Sequence, residues 1–331
     1  MANAAFSPKD YRVAVRAEST NGSDAGIGSS ISYLDVDSIG FPSLNINQAL
    51  DIRTGVGRVL GEIDFFQDNK ASVTEFSMSC TLHLDTGHKL LMQNIMNSTA
   101  DPLAIAYNHQ PNSGVYGTTT HANTTFTTYI TSQDQTDGNN IVLEGCMCTN
   151  FAINADMGTD GGKYTYSATV QTGRVAHLNN TTTPATGNYS GSPITMSGLT
   201  AGSIRVYSLS APILSSFGVT IDSPAVFTGV DSNGFKAFAR GAETSVTANA
   251  TVKLDSLTRD LPQTFNTQAS GTADDAECLT LTQGTAANCS ISMPSGVLTN
   301  VAYNEGDVMM LDVEMKGVNI GSGNVLTFDV A

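Results

Sequence analysis

Tryptophan is absent from the chain, and charged side chains make up only 14% of it. Basic residues are the scarcest class, with 15 Lys and Arg against 30 Asp and Glu, a net charge of −15. Such a chain repels phosphate and offers no basic cluster for counterion-releasing contacts, which argues against a protein that grips nucleic acid. No apolar run approaches the roughly 20 residues that a bilayer-spanning helix needs. The opening "MANAAFSPKDYRV" has no basic segment leading into an apolar one, so no signal peptide is expected. Cysteines are few: Cys80, Cys146, Cys148, Cys278 and Cys289. Their odd number and irregular spacing exclude a disulfide framework and point to reduced thiols made in a cytoplasm.

What is present favours strands. The 331 residues include 40% hydrophobic ones, enough for two domains with their own cores. Thr, Ser, Asn and Gly dominate the remainder, a composition of strands and turns.

The chain also repeats itself. "EFSMSCTLHLD" (75–85) and "SVTANATVKLD" (245–255) both alternate and both end on Leu-Asp. "SLNIN" (43–47) resembles "SFGVT" (216–220), and "CTNFAINADMGTDGGKYTYSATVQTG" (148–173) resembles "LTNVAYNEGDVMMLDVEMKG" (298–317). Three pairs in one order predict a tandem duplication. The expected division is a first domain at 1–173, a linker at 174–203 rich in Thr, Gly, Pro and Asn, and a second domain at 204–331. The turn-rich insertion at 98–126 is expected to project as a loop. One helix is expected per copy, at 85–96 and at 255–265, the second limited by Pro262. The fold expected is mainly β: two sandwiches, each with one packed helix.

Candidate chemistry is thin. "LDTG" (84–87) has the form of an aspartic-protease signature, which needs a second carboxylate sharing one proton. The matching "LDSL" (254–257) keeps Asp255 but lacks the Gly, so Asp85 and Asp255 read as helix starts. Cys146 and Cys148 fall on one face of a strand without a second ligand pair and read as small core residues. His83 and His88 lack partners at zinc spacing, and Asp35/Asp37 and Asp274/Asp275/Glu277 match no EF-hand. No catalytic residue, metal ligand or cofactor site is assigned, and the chain is not expected to be an enzyme.

The polar strand faces are the informative feature. Asn45 and Asn47 alternate with Leu44 and Ile46, and Ser77, Ser79 and Thr81 alternate with Met78 and Cys80. Thr220 and Asp222 alternate with Val219 and Ile221, and Thr247, Asn249 and Thr251 alternate with Ala248 and Ala250. Solvent-facing strands ordinarily carry more Lys and Glu to blunt their edges. Small neutral residues instead suit a confined surface such as the lining of an assembled barrel.

The stretch "SSFGVTIDSPAVFTGVDSNGFKAFARGAETSVTANATVKLD" (215–255) resembles the core of phage major tail proteins, the tail-tube subunits of long-tailed bacteriophages. The shared marks are Ser216–Pro224, Arg240-Gly241 and Ser245–Asp255. The first copy departs from them, since "GVGRVLGEIDFFQDNK" (55–70) lacks a clear Arg-Gly. The resemblance implies the form with two tube domains per chain, a ring whose partners are copies of itself (a trimer with pseudo-hexameric symmetry), and stacking into a hollow tube. It further implies contacts with tape measure, terminator and distal tail proteins, passage of DNA without specific binding, no membrane, and a place in the virion tail. The ten polar residues Asn45, Asn47, Ser77, Ser79, Thr81, Thr220, Asp222, Thr247, Asn249 and Thr251 would then line the lumen. The competing expectation is a surface β-sandwich binding module: an adhesin, decoration or fibre domain.

Overall fold

A computed structural model describes residues 7–28, 31–42, 47–50, 65–68, 74–83, 86–98, 102–106, 125–132, 140–174, 176–179, 182–184, 192–230, 236–240, 243–267, 278–283, 289–319 and 323–330. The first half supplies β1 (Tyr11–Ala17), β2 (Ser32–Tyr33), β3 (Val36–Ile39), β4 (Asn47–Leu50), β5 (Phe65–Asp68), β6 (Thr74–Thr81), α1 (Thr86–Met96), β7 (Leu103–Ala106), β8 (Phe126–Ser132), β9 (Ile141–Asp156), β10 (Thr165–Thr172) and β11 (His177–Leu178). The second half supplies β12 (Leu199–Val206), β13 (Leu209–Ser210), β14 (Leu214–Asp222), β15 (Ala225–Val230), β16 (Lys236–Arg240), β17 (Ser245–Lys253), α2 (Leu261–Thr267), β18 (Leu279–Gln283), β19 (Cys289–Met293), β20 (Gly296–Asn304), β21 (Met310–Gly317) and β22 (Asn324–Val330). The protein is mainly β, and among the described residues every strand pair is antiparallel.

Eight strands make one continuous ladder in the order β3-β6-β10-β9-β14-β17-β21-β20. Each half contributes four of them, in matching order and with matching irregularities. The β3–β6 pair slips by one residue between Val36 and Ser38, and β14–β17 slips between Leu214 and Ser216. Opposite β10, Thr149 of β9 is an extra residue; opposite β21, Thr299 of β20 is the same. Such bulges bend a strand and sharpen its twist, so both halves curve at corresponding places.

Strand β9 joins two parts of one twelve-stranded sheet. Its first part pairs β8 and β11, and its last part pairs β10 and β14. Gly145 lies in this strand at φ 63, a left-handed conformation that favours glycine. The bend frees its N–H, which donates to Glu18 Oε1 at 2.7 Å. In the second half two strands divide this work. Pro294, which has no N–H to give a ladder, stands between β19 and β20.

A second sheet runs β13-β12-β18-β19-β22-β7, so a strand from the first half closes the edge of the second half's sheet. A single cluster of buried apolar side chains contains Phe76, Leu91, Phe151, Phe217, Val252, Leu311 and Phe328, drawn from both halves. The two copies share a core.

Several expectations are corrected here. The counterpart of β14 is β3, not "SLNIN": Gly40 donates to Ser77 O, as Gly218 is registered on Asn249. The matching words are therefore "SIGF" (38–41) and "SFGV" (216–219). Residues 43–46 lie outside the described residues, and Asn47 opens the separate β4–β5 hairpin. Within the 98–126 insertion, Leu103–Ala106 form β7, which pairs β22, while residues 107–124 lie outside the described residues. The 174–203 linker contains β11, an antiparallel bridge from His83 to Pro193, and the start of β12. Pro262 does not end a helix. It is the second residue of α2, where its missing N–H would have no partner anyway. Asp255 instead caps the preceding turn, accepting from Leu257 N at 2.9 Å and Thr258 N at 3.3 Å.

Candidate functional site: a polar sheet face and the seam that extends it

Alternation divides the eight-stranded ladder into two unlike faces. On β17, Val246, Ala248, Ala250 and Val252 are buried, whereas Thr247 and Asn249 are exposed. On β14, Phe217, Val219 and Ile221 are buried and Asp222 is exposed. The buried faces pack into the shared core with α1, which contributes Leu91, Met92 and Ile95. The open face carries Ser77, Ser79, Ser167, Thr169, Asn150, Asn154, Thr220, Thr247, Asn249, Thr251, Asn300 and Asn304. Its charges are Glu75, Asp156, Asp222, Asp312 and Glu314 against Lys253 and Lys316. The face is small, polar and net acidic.

Side chains on this face bond to one another across strands. Thr251 Oγ1 donates to Asp312 Oδ1 at 2.7 Å, and Asn304 Nδ2 donates to Asp312 Oδ2 at 3.0 Å. Gly218 sits between Asn154 on β9 and Asn249 on β17. A Cβ on Gly218 would lie 2.6 Å from Asn154 Oδ1 and 2.8 Å from Asn249 Oδ1, so the two amides fill the space the glycine leaves.

Of the ten residues expected on the lumen, Ser77, Ser79, Thr220, Asp222, Thr247, Asn249 and Thr251 share this open face. Thr81 has the right parity but is only 3% exposed. The chain crossing at Asp35–Asp37 covers it: its N–H donates to Asp35 O and its hydroxyl to Asp37 Oδ2. Asn47 belongs to β4 and so to a different sheet, and Asn45 lies outside the described residues. The rows from β9, β10 and β20 were missed because their alternation includes Ala152, Ala302 and a one-residue bulge, which blur the period.

The seam between the halves is β9 against β14, with seven residue pairs from Ser216 opposite Asp156 to Asp222 opposite Asn150. Arg240, at the end of β16, fastens it. Its Nη2 donates to Asn94 O at 2.9 Å, Asn94 Oδ1 at 2.8 Å and Cys148 O at 2.7 Å, and its Nη1 donates to Ser223 O at 2.8 Å. Asn94 of α1 also accepts from Cys148 N at 2.8 Å. The bulge at Thr149 thus turns the backbone of Cys148 toward Asn94 and Arg240. The Arg of the Arg-Gly motif joins the second half to the helix of the first.

Other groups of chemical interest sit apart from this face. His83 Nε2 lies 2.7 Å from Asp35 Oδ2, and His88 Nδ1 lies 2.6 Å from Tyr166 Oη, the two imidazoles stacking at 5.9 Å. All five thiols are buried and unlinked. Burial pushes Cys80, Cys146, Cys148 and Cys289 up from 9.0 to about 12, so they behave as inert core groups. The one set of three with ligand-type atoms within 4.8 Å of each other, among the described residues, is Asp24, Glu144 and His177. Burial raises the Glu144 carboxyl, and Asp24 Oδ1 already accepts from Tyr129 Oη at 2.6 Å and Gly26 N at 2.8 Å.

No family model matches the chain, and no curated protein matches it either. Among the described residues no helix is long and apolar enough to cross a membrane.

Proposed function

We propose that this chain is the ring-forming subunit of a phage tail tube, a structural virion protein whose stacked rings give a hollow conduit for DNA. The observation that carries this is the β9–β14 seam, where two four-stranded units of one design already join edge to edge without a break in the ladder. A third and a fourth unit can add by the same rule. The pairing then has no natural end until the sheet closes, which removes the exposed edges.

Three chains would bring six such units, about two dozen strands. At roughly 4.8 Å between strands and a tilt of about 40°, that closes a backbone cylinder of roughly 45–50 Å diameter. Barrels of 16 to 18 strands already leave an aqueous channel, so this one has an open bore. The open face would line it, with the shared core, α1 and α2 outside. A net acidic wall of Ser, Thr and Asn neither binds phosphate nor presents apolar side chains to bases, so DNA slides without sticking. The subunit performs no catalysis. Its partners are further copies of itself, then the tape measure, terminator and distal tail proteins, and it works in the virion after synthesis in the host cytoplasm.

Negative-stain microscopy of the purified, concentrated protein tests this. Rings or tubes with a stain-filled centre support the tail-tube function. Discrete solid particles would favour the surface binding module.

A further inference from the structure

The ladder has two free margins among the described residues: β3 pairs only β6, and β20 pairs only β21. Strand β3 is short, carries Asp37 and a one-residue slip, and is followed by Pro42, whereas β20 has no such defence. Strand β20, "GVLTNVAYN", carries no charged residue at all, and an unprotected edge is a template for another strand. Each margin also exposes one large aromatic side chain, Phe41 at 39% just beyond β3 and Tyr303 at 58% on β20.

The seam inside the chain shows what should meet these margins. By the shared bulge at Thr149 and Thr299, the β20 residues Tyr303 and Asn304 occupy the places of Ile153 and Asn154 in β9. By the shared slip after Val36 and Leu214, Gly40 and Phe41 occupy the places of Gly218 and Val219 in β14. Within the chain, Gly218 faces Asn154 and Val219 faces Ile153, the latter pair buried at 2% and 3%. Backbone polarity agrees. Ser215 O accepts from Met157 N just past the end of β9, and Ser223 N donates to Thr149 O of β9, so alternate residues of β14, Val219 among them, address the seam. Gly40 N turns inward to Ser77 O, which leaves the neighbouring Phe41 addressing the outside. Pro42, whose missing N–H would weaken a ladder, has the inward parity of Gly40 and does not interrupt the outer edge.

We propose that β20 of one chain pairs antiparallel with β3 of a second copy in a fixed register, with Tyr303 opposite Phe41 and Asn304 opposite Gly40 of that copy. Tyr303 and Phe41, whose ring also meets Tyr11 edge-on at 5.4 Å, take the places that Ile153 and Val219 fill inside the chain, and facing aromatics on adjacent strands attract. Asn304, already oriented by Asp312, covers Gly40 as Asn154 covers Gly218. Because β21 fixes the faces of β20, any one-residue slip would set core-facing Tyr303 opposite open-face Gly40 or Pro42, so the register is strongly specified. This rests on the chain being a ring subunit, and it names which edges and which residues make the ring.

Cysteine pairing across the edge tests it on the full-length protein. The double variant Gly40→Cys/Asn304→Cys places two thiols on directly opposed residues, within the Cα separation a disulfide spans. The five native thiols are buried and do not compete. Under mild oxidation, non-reducing gels should show linked chains in most of the protein, and the shifted pair Phe41→Cys/Asn304→Cys should link at least tenfold less. Rings or tubes seen by microscopy with efficient linkage only in the shifted pair, or in neither, would overturn the register while leaving the tail-tube function standing. Absence of any oligomer by light scattering, together with no linkage, would overturn both.

Discussion

Arg240 Nη2 donates to the main-chain oxygen of Cys148 at 2.7 Å, across 92 residues of sequence, and so locks the hairpin of one half onto the bulged strand of the other. The guanidinium is deeply placed, and burial lowers its pKa. Replacing it with Ala leaves Asn94 Oδ1 and the oxygens of Cys148 and Ser223 without this donor. Hydrogen bonds to a charged group are each worth about 1.5–3 kcal/mol, and some of the lost ones are replaced by water. Arg240→Ala is expected to destabilise by about 3 kcal/mol or more in urea unfolding. Arg240→Lys should recover only part of this, because an ammonium cannot reach the same fork of acceptors. A change under about 1 kcal/mol would contradict the clamp.

Two glycines should respond in opposite ways. At Gly218 the obstacles are the amide ends of Asn154 and Asn249, which can rotate into open space. Gly218→Ala is expected to alter stability by no more than about 1 kcal/mol, since a strand gains from losing a glycine. At Gly296 the added Cβ would lie 2.6 Å from the backbone oxygen of Lys316 and 3.1 Å from Cys278 Sγ. Gly296→Ala should therefore cost about 2 kcal/mol or more, because overpacking here forces the backbone to move. Thermal unfolding of the two variants side by side separates these outcomes.

The face assigned to the bore can be charged without touching the core. Thr247 and Asn249 are both exposed, so Thr247→Lys/Asn249→Lys should shift stability by no more than about 0.5 kcal/mol. Assembled tubes of the parent should ignore duplex oligonucleotide. The lysine variant should bind it at low salt and lose roughly tenfold or more in affinity between 50 and 200 mM salt, as phosphate contacts do. Fluorescence anisotropy at several salt concentrations reads both.

The buried thiols make stability fall in alkali. In the unfolded chain they ionise near 9, whereas in the fold Cys80, Cys146, Cys148 and Cys289 stay protonated until about 12. Their contribution is fully present below pH 9 and is lost as pH rises from there toward 12. By pH 10 each should have lost about 1 kcal/mol relative to pH 8. Urea midpoints should drop over that interval, less steeply in Cys146→Ala. Native protein at pH 8 should also react slowly with thiol reagents.

The legible part of this protein was its alternation. Residues 245–253 read correctly because Val and Ala on one side and Ser, Thr, Asn and Lys on the other leave no ambiguity of period. The repeat was legible too, and "CTN" (148–150) aligns with "LTN" (298–300) as the shared bulge requires, but the counterpart of β14 was misplaced. "SLNIN" has the hydrophobic pattern of "SFGVT", while the true counterpart "SIGF" differs by only a glycine at the right place. Short strands such as β7 and β11 escaped notice because two to four residues carry no period, and only their partners define them. The role of Arg240 could be suspected from a lone Arg-Gly, but its acceptors come from residues 94, 148 and 223, a convergence that only the folded chain reveals. The polar face was visible strand by strand. That both halves place it in one continuous ladder was not, since no local pattern says that β9 pairs β14.

End-on cryo-electron microscopy averages of the assembled protein address the tube most directly. The expected image is a ring of three chains showing six similar lobes around an open bore, with the face of Thr247 and Asn249 turned inward. A ring with that face outward, or a compact particle with no bore, would contradict it.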